Sequence, residues 1–554
     1  MPTPIFQYDP AGLEITAEPE RFGTFVDALD TLTLANLTDR LGDVYGERTA
    51  FILETPLSLP GTAGTTVSFA GLARLVRRAT AVLHDLGVAP GERVALCTRN
   101  RMELAVAEWA VVRAGAVAVP LGARHPADEI ARMLADSGAR LLVADHHVLG
   151  THLRDTPLPV DGRLVVDGED VPGAQSFARL LAAARDDVPA AEVSDADLAV
   201  VFYTSGTTGR AKGVMLTHGN LMFATRSTLR MTGLMGPPGR MLGLMVMPLA
   251  NTSGHQGLLL SITRGTSVIV LDRFDPHAVL DLVEGHGVNV LSGTPTMFRL
   301  LWEAGAPGRD LSSVLAFGGG ADYFDLDLVE RFRALPRGPE EPALFVTGYG
   351  MTETAGQVCQ AFPAIEFDGD LGRVQAGIQH RIVAPDGSPV APGEVGELEL
   401  RGPNVTPGYW NAPEATAAAF HDGWLRTGDL VREEAEAGRL VFAGRAKDVI
   451  VSGGNTVYPP EIERVLMEHP AVHRAAVVGL PDRLMGQVIV AAVQPAPGAS
   501  VDPAALLAWA GEHLAPYQRP RAVHVMELPV SADLKVKRRL VADIIGRAIG
   551  RAGG

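Results

Sequence analysis

The chain contains very little lysine. Of its 48 basic residues only four are lysine, and arginine supplies the other 44. Those four are Lys212, Lys447, Lys535 and Lys537. Lysine is a compact ammonium on a slim stem, whereas arginine is a broad planar fork. A position that keeps lysine in this chain is therefore a candidate for a role that arginine cannot fill.

Other absences narrow the class of protein. The two cysteines, Cys97 and Cys359, provide no disulfide framework and no cysteine cluster for a metal, which fits a reducing cytoplasm. The net charge is −16, and the sequence shows no run of basic residues that would contact the phosphate backbone of a nucleic acid. A nucleic-acid partner is therefore not expected. The first residues lack the basic and apolar regions of a signal peptide. No uncharged apolar run reaches the roughly 18 residues that a membrane helix needs.

Helical and short apolar segments alternate through the first part of the chain, which is typical of a parallel α/β sheet. Residues 380–442 instead carry short strands separated by Pro, Gly and Asp turns, which predicts a small antiparallel β region. After Gly444 a new α+β pattern begins. We therefore predict an α/β protein with a large N-terminal domain (1–444) and a small mobile C-terminal domain (445–554). Early in the chain the pattern predicts helices over 32–48, 70–87, 102–115 and 126–137, and strands over 92–97, 117–120 and 140–144; later it predicts a helix over 278–290.

A Gly/Ser/Thr-rich run follows an apolar strand at Thr204–Gly209. Consecutive backbone N–H groups, hydroxyls and glycines make such a loop a phosphate cradle. It is not a Walker A loop, because that motif needs Gly-Lys and none of the four lysines follows a glycine. P-loop kinases and ATPases are therefore disfavoured, and the alternative interpretation is a flexible surface loop.

Five motifs in order resemble those of the adenylate-forming superfamily, which contains acyl- and aryl-CoA synthetases, peptide-synthetase adenylation domains and luciferases. They are the phosphate loop Tyr203–Gly213, the pocket segment Phe317–Ala321, Tyr349–Thr354 with its Tyr-Gly-x-Thr-Glu pattern, the ribose-binding motif Leu425–Asp429, and the hinge Gly444–Asp448. The resemblance covers essentially the whole chain and is closest to stand-alone carboxylate–CoA ligases. One such motif would be weak evidence, whereas five in order are strong evidence.

The resemblance implies a role for individual residues. Lys535 would bridge the carboxylate and the α-phosphate, Thr352 would contact that phosphate, and Glu353 would hold Mg²⁺, a hard cation that prefers carboxylate oxygen. Lys447 would lie at the hinge. The residues implied to bind the nucleotide are Thr204, Ser205, Gly206, Thr207, Thr208, Gly209, Lys212, Gly320, Tyr349, Asp429 and Arg445.

The acid pocket is expected where small residues predominate, which leaves room for an aromatic ring or a medium chain. No acidic residue lies in Met247–Gly254 to pair with an α-amine, so activation of an amino acid is disfavoured. The predicted pocket residues are Asn251, Thr252, Ser253, Phe317, Gly318 and Gly348.

Two positions depart from the family. Leu534 precedes Lys535 where the family usually has glycine, which adds bulk and removes backbone freedom. Asn251 stands where many CoA ligases carry histidine or an aromatic residue, and asparagine cannot titrate. His255, four residues later, either takes over that position in space or is an ordinary structural histidine.

The expected activity is ATP-dependent conversion of a carboxylic acid to an acyl or aryl adenylate, followed by transfer to CoA. Mg²⁺ is the expected cofactor, and ATP and CoA are the expected co-substrates. The alternatives are an adenylate-forming enzyme with another acceptor (a carrier-protein thiol, an amine, or activated nitrite in a diazotase) and a non-catalytic nucleotide sensor. The intact Thr352, Glu353, Asp429 and Lys535 argue against the sensor.

Overall fold

The chain forms two compact units in the computed structural model. The first unit comprises the residues up to Gln379 together with Arg401–Leu425, and the second comprises His380–Leu400 together with the residues from Arg426 onward. This division assigns 426–444 to the second unit, and the predicted domain boundary between residues 444 and 445 stays a prediction. The structure describes residues 32–53, 64–166, 171–205, 211–231, 241–320, 322, 324, 326–361, 365–367, 369–434, 438–530 and 536–552.

The first unit alternates helices and strands. Its helices are α1 (Leu34–Tyr45), α2 (Phe69–Asp85), α3 (Met102–Arg113), α4 (Ala127–Ser137), α5 (Phe177–Ala183), α6 (His218–Met231), α7 (Thr252–Thr263), α8 (Pro276–His286), α9 (Pro295–Glu303), α10 (Leu326–Ala334) and α11 (Pro413–Ala419). Its strands are β1 (Thr49–Ile52), β2 (Thr66–Ser68), β3 (Arg93–Cys97), β4 (Val117–Pro120), β5 (Leu141–Ala144), β6 (Gly162–Val165), β7 (Gln175–Ser176), β8 (Leu198–Ser205), β9 (Ala211–Thr217), β10 (Leu242–Met245), β11 (Ser267–Val270), β12 (Val290–Gly293), β13 (Ala316–Gly320), β14 (Leu344–Met351), β15 (Gly356–Ala361) and β16 (Asp370–Val374). A short strand at Phe420–His421 follows α11.

These strands form two sheets with parallel centres. One has the order β16-β15-β14-β13-β12-β10-β11-β1-β2, and the other has the order β7-β6-β5-β3-β4-β8-β9. In the first sheet β14, β13, β12, β10 and β11 run parallel, and β15 and β16 continue it antiparallel. Parallel strands end at the same edge of a sheet, where α/β proteins bind ligands. The predicted parallel α/β arrangement is confirmed.

Glycine ends two helices earlier than the sequence pattern predicts. Helix α1 stops at Tyr45 because Gly46 has φ +53°, and α8 stops at His286 because Gly287 adopts the left-handed conformation. Glycine reaches this conformation without the strain that a Cβ would bring. At its start, α8 is capped by Asp275, whose side chain accepts from the backbone N–H groups of the first turn. The predicted ends at 48 and 290 were therefore wrong by one turn.

The core of the first unit contains a cluster of phenylalanine rings. Phe317 on β13 is fully buried and lies edge-on to Phe298 and Phe332, with ring centroids 5.8 and 5.5 Å apart. Phe345 on β14 joins the same cluster. These rings fix β13 and β14 side by side, so that the ends of both strands are held in register.

Among the described residues, four strands that lie mostly in the second unit precede its α+β part. They are β17 (Gln379–Val383), β18 (Gly396–Arg401), β20 (Trp424–Glu434) and β21 (Arg439–Arg445), and β19 is the Phe420–His421 strand. Strands β20 and β21 are antiparallel, as predicted for this region. The α+β part has the strand order β23-β22-β25-β24, with β26 paired to β25. Its elements are β22 (Ile450–Ser452), β23 (Asn455–Val457), α12 (Pro459–Met467), β24 (Val472–Asp482), β25 (Gly486–Pro495), α13 (Pro503–His513), β26 (Ala522–Val525) and α14 (Arg538–Ala552).

Candidate functional site

The phosphate loop joins two antiparallel strands. Strand β8 ends at Ser205, β9 begins at Ala211, and Thr204 pairs with Lys212 across the hairpin. The buried apolar residues Val200–Phe202 anchor β8 in the core. Gly206, Thr207, Thr208 and Gly209 lie outside the described residues, as does the side chain of Ser205. Their phosphate-binding role stays a prediction.

Lys212 lies against an aromatic ring. Its ammonium is 5.1 Å from the centroid of the Tyr409 ring, a distance typical of a cation–π contact. Tyr409 is held beside β9 because it bridges to Val214, and the next residue, Trp410, donates its backbone N–H to the carbonyl of Gly213 at 2.7 Å. The structure thus brings Lys212 and residues 409–410 together, which the sequence pattern does not predict.

Glu353 lies in a short 3₁₀ turn, Thr352–Thr354, directly after β14. Thr354 closes the turn, since its hydroxyl accepts from the backbone N–H of Met351 at 3.1 Å. The Glu353 side chain is buried, and its Oε1 accepts a hydrogen bond from the Tyr409 hydroxyl at 2.8 Å. Burial, with the adjacent Glu353 carboxylate, raises the pKa of Tyr409 above its ordinary value, so the phenol stays a donor at neutral pH.

Strand packing requires glycine at Gly350 of the Tyr349–Thr354 motif and at two predicted site residues, Gly320 and Gly348. A Cβ at Gly350 would collide with the carbonyl oxygen of Gly356, and one at Gly348 would collide with the Gln357 side chain. A Cβ at Gly320 would lie 3.0 Å from the Gly348 carbonyl oxygen. Tyr349, between two of these glycines, is half-buried. The glycines therefore permit the close approach of β13, β14 and β15, which is a structural reason for them independent of any ligand.

The residues predicted to line the acid pocket differ in exposure. Asn251 and Ser253, at the start of α7, are exposed, whereas Thr252 between them is buried. The ring of Phe317 lies in the phenylalanine cluster of the core, so its side chain does not face open space. A Cβ at Gly318 would collide with the Ser292 hydroxyl, which shows that small size at this position serves packing.

His255 does not replace Asn251 at the surface. It is 5% exposed, its Nδ1 lies 2.5 Å from Oε1 of the buried Glu108 on α3, and its ring packs edge-on against Phe202. Its Nε2 makes no hydrogen bond within the described part of the chain. A small cavity, bounded in part by Trp109, Leu249 and Leu258, adjoins this pair. This burial favours the structural interpretation of His255.

The predicted ribose-binding pair lies in the second unit. Asp429 and Arg445 are directly opposite on β20 and β21, and the Arg445 Nε is 3.2 Å from Asp429 Oδ1. Asp429 is buried and Arg445 is exposed. Lys447 is exposed on the 3₁₀ turn Ala446–Asp448 that follows. The ribose and hinge roles stay predictions.

Lys535 and Leu534 lie outside the described residues. Within the described ranges, no group of three or more His, Cys, Asp or Glu residues is arranged to hold a metal ion. In the same ranges, no helix is long and apolar enough to cross a membrane. The role of Glu353 as a metal ligand stays a prediction.

Two family descriptions match the chain. The AMP-binding enzyme family matches residues 39–410, and the C-terminal domain of AMP-binding enzymes matches residues 461–535. The chain belongs to the AMP-binding enzyme family. This confirms the resemblance to adenylate-forming enzymes that the five motifs indicate.

Relatives of known activity cover nearly all of the chain. A feruloyl-CoA synthase from Amycolatopsis is 37% identical over 482 residues, which are 85% of this chain and 93% of the relative. A 2-succinylbenzoate–CoA ligase from Geobacillus kaustophilus is 35% identical over 84% of this chain and 90% of the relative. The o-succinylbenzoate CoA synthetase of Bacillus subtilis, solved with its acyl-adenylate intermediate, superposes with a TM-score of 0.78 at 30% identity over 91% of this chain and 97% of its own. The enzyme is accordingly an AMP-forming ligase of the acid–CoA type, and the relatives do not favour the alternative acceptors.

Proposed function

We propose that this ligase activates an aromatic acid with one carboxylate and no other charged group. The ring of this acid carries a hydrogen-bonding substituent such as hydroxyl or methoxyl. The proposal rests on the residues at the start of α7. Asn251 and Ser253 are exposed there, and the segment Met247–Gly254 contains no charged side chain. It therefore offers no cation for a second carboxylate and no anion for an amine, whereas an amide and a hydroxyl suit a neutral polar substituent.

The similarity to feruloyl-CoA synthase supports this substrate class, because ferulate is an aromatic acid with both substituents. A relative from Aromatoleum aromaticum that is 32% identical over 87% of this chain, an indoleacetate–CoA ligase, also acts on an acid with an aromatic ring. Both names describe the relatives. The proposed acid for this enzyme is inferred from the uncharged segment Met247–Gly254, which leads into α7.

The ATP phosphates and adenine would be bound by the phosphate loop with Lys212, and by Gly320, Tyr349 and Thr352. The ribose would be bound by Asp429 and Arg445. A carboxylate oxygen would attack the α-phosphorus and expel pyrophosphate, with Lys535 near the charge that develops. The CoA thiol would then attack the acyl carbon and expel AMP. Such a reaction needs little covalent help from the protein, so positioned charges and donors supply most of the acceleration.

Mg²⁺ fits the donor set around Glu353. Mg²⁺ is commonly bound by one or two carboxylates plus substrate phosphates, and one buried carboxylate at the end of β14 meets this requirement. When bound, the ion would neutralise phosphate charge. Glu353 would hold it, with Tyr409 and the turn Thr352–Thr354 fixing that carboxylate.

A panel of acids with matched controls tests the substrate class. Ferulate, 4-hydroxybenzoate and benzoate would be compared with malonate and phenylalanine, and AMP and pyrophosphate release would be measured with and without CoA. We expect turnover with the substituted aromatic acids and a thioester product. Turnover that is faster with malonate or phenylalanine than with the aromatic acids would contradict the proposal.

Two variants on one helix refine the test. Ser253→Ala should raise the KM of ring-hydroxylated acids by about 3- to 10-fold while that of benzoate stays the same, since one neutral hydrogen bond is worth about 1 kcal/mol. Ser261→Ala is the matched control, because its hydroxyl donates to the Gly257 carbonyl at 2.8 Å within α7, well beyond the first turn. Equal effects of both variants on the hydroxylated acids would remove Ser253 from the site.

A further inference from the structure

Tyr409 contacts two residues that the proposed function assigns to binding of the nucleotide and of its metal ion. Its hydroxyl donates to Glu353 Oε1 at 2.8 Å, and the face of its ring lies 5.1 Å from the Lys212 ammonium. The three residues come from different parts of the chain: Lys212 is on β9, Glu353 follows β14, and Tyr409 lies in the segment before α11. One aromatic side chain therefore links the predicted metal ligand to the lysine of the phosphate loop.

We propose that Tyr409 is a positioning residue that orients the Glu353 carboxylate for a divalent metal ion and holds the Lys212 ammonium beside it. The inference rests on the proposed role of Glu353. A carboxylate whose Oε1 accepts from a fixed phenol cannot rotate freely, so its other oxygen keeps one direction. The ring face attracts the Lys212 ammonium and keeps it beside Glu353 and the phosphate loop.

The segment that carries Tyr409 is anchored on the Glu353 side. The Thr406 backbone N–H donates to the Glu353 carbonyl at 2.8 Å, and the Asn404 side chain donates to the Thr354 carbonyl at 3.1 Å. Both the backbone and the side chain of Glu353 are thus tied to residues 404–409. This double attachment is what a positioning role requires, because a donor on a free loop would move with the carboxylate.

The segment is also anchored on the phosphate-loop side. The Tyr409 backbone N–H donates to the Thr416 hydroxyl at 2.9 Å, and the Trp410 indole donates to the carbonyl of Asp136 at 3.1 Å. The Asp136 carboxylate in turn accepts from the hydroxyl of Tyr203, the first residue of the phosphate-loop motif, at 2.5 Å. The residues that flank the phosphate loop and those that flank the predicted metal ligand are therefore connected through Tyr409 and Trp410.

Two substitutions at Tyr409 separate the two contacts. Tyr409→Phe removes the hydrogen bond to Glu353 but keeps the ring under Lys212, whereas Tyr409→Leu removes both. The readout is acid-dependent ATP–pyrophosphate exchange as a function of Mg²⁺ concentration, with the KM for ATP measured at saturating Mg²⁺. We expect Tyr409→Phe to raise the Mg²⁺ midpoint by about tenfold, the usual effect of losing one hydrogen bond to a charged group. Its KM for ATP should stay near that of the wild type, and Tyr409→Leu should raise both values.

A matched tyrosine controls for stability. Tyr45 is buried in the same unit, and its hydroxyl donates to the Thr263 carbonyl at 2.9 Å. Tyr45→Phe should lower the melting temperature without moving the Mg²⁺ midpoint. If Tyr409→Phe lowers the melting temperature in the same way and leaves the Mg²⁺ midpoint unchanged, Tyr409 is a structural residue only and the inference is overturned.

Glu353→Gln distinguishes failure of this inference from failure of the proposed function. If Glu353→Gln raises the Mg²⁺ midpoint and Tyr409→Phe does not, only the role of Tyr409 is wrong. If neither variant moves the midpoint, the metal ligand lies elsewhere, and the proposed metal role of Glu353 fails together with this inference. Formation of a CoA thioester by the wild type is measured separately and does not depend on either result.

Discussion

The imidazole of His255 and the carboxylate of Glu108 form a buried pair, with Nδ1 and Oε1 2.5 Å apart. His255 lies in the first turn of α7, and its backbone N–H donates to the carbonyl of Asn251 at 2.9 Å. The preceding segment is tied down as well, because Asn100 accepts from the Leu249 N–H and donates to the Leu271 carbonyl. Asn251 and Ser253, which are proposed to contact the acid, therefore lie in a segment that is fixed by contacts with α3 and with the loop that precedes α3.

The first prediction is that Glu108→Gln weakens acid binding. Removal of the carboxylate partner of a buried histidine should let the start of α7 shift. We expect the KM of the acid to rise about 3- to 10-fold, equivalent to roughly 1 kcal/mol, with little change in the KM of ATP. Glu103→Gln is the matched control, since Glu103 is also buried on α3 but pairs with Arg101 at 2.8 Å. An equal rise in the KM of the acid in both variants would contradict a specific link to α7.

The second prediction concerns Lys212. Lys212→Gln should raise the KM of ATP by at least about tenfold, since a charge-assisted contact to phosphate is lost. Arg93→Gln is the control, because its guanidinium lies 5.2 Å from the Trp410 ring and makes the same type of contact next to Tyr409. Steady-state kinetics should show a normal KM of ATP for Arg93→Gln. A normal value for Lys212→Gln would exclude Lys212 from the phosphate site.

The third prediction concerns the C-terminal lysines. Lys535→Ala should slow adenylation by about 10²–10³-fold, the usual effect of removing one group that stabilises charge in the transition state. It should largely keep thioester formation from a supplied acyl adenylate, because that step does not need this charge. Lys537→Ala, two residues later, should do little in single-turnover assays of either step. Similar losses from both substitutions would assign the effect to general charge or stability.

The fourth prediction is a pH dependence that arises from His218. This residue is 1% exposed, and burial lowers its pKa to about 4, against the opposite effect of Asp195 and Asp197. Since the unfolded chain binds this proton at higher pH than the folded chain does, stability should be unaffected above pH 6.5 and should fall as the pH drops toward 4. The loss over that interval is on the order of 3 kcal/mol.

Thermal unfolding at several pH values measures this effect. His218→Gln should flatten the decrease in melting temperature between pH 7 and pH 4, whereas His84→Gln, which changes an exposed histidine on α2, should follow the wild type. Parallel curves for the wild type and His218→Gln would show that other groups cause the acid sensitivity.

Local patterns were sufficient to predict the parallel α/β order and the family, because apolar strands, helix periodicity and glycine-rich turns are visible in short stretches. The role of Phe317 was not predictable in this way. Its position beside three glycines indicated a pocket wall, but the ring packs against Phe298, Phe332 and Phe345, which are distant in sequence or on a neighbouring strand. The direction of a strand side chain depends on register, which the motif alone does not determine.

Tyr409 was missed for a related reason. Its partners are 56 and 197 residues away in the chain, and only the folded contact of the segment with β9 and β14 brings them together. The available signal was an aromatic pair, Tyr409 and Trp410, directly after Pro407 and Gly408 in a turn region. Aromatic residues in a loop suggest a packed or functional contact, but they do not name the partner. For His255 the opposite holds: its position near Asn251 suggested the pocket, and its burial against Glu108 favours a structural role.

The fate of the carboxylate oxygen tests the central claim most directly. If a carboxylate oxygen attacks the α-phosphorus and the thiol then expels AMP, that oxygen must leave with AMP. The reaction would be run with ferulate labelled with ¹⁸O in both carboxylate oxygens, together with ATP and CoA, and the products would be analysed by mass spectrometry. The account predicts one ¹⁸O atom in AMP and one in the CoA thioester. Unlabelled AMP, or label found instead in inorganic phosphate, would contradict it.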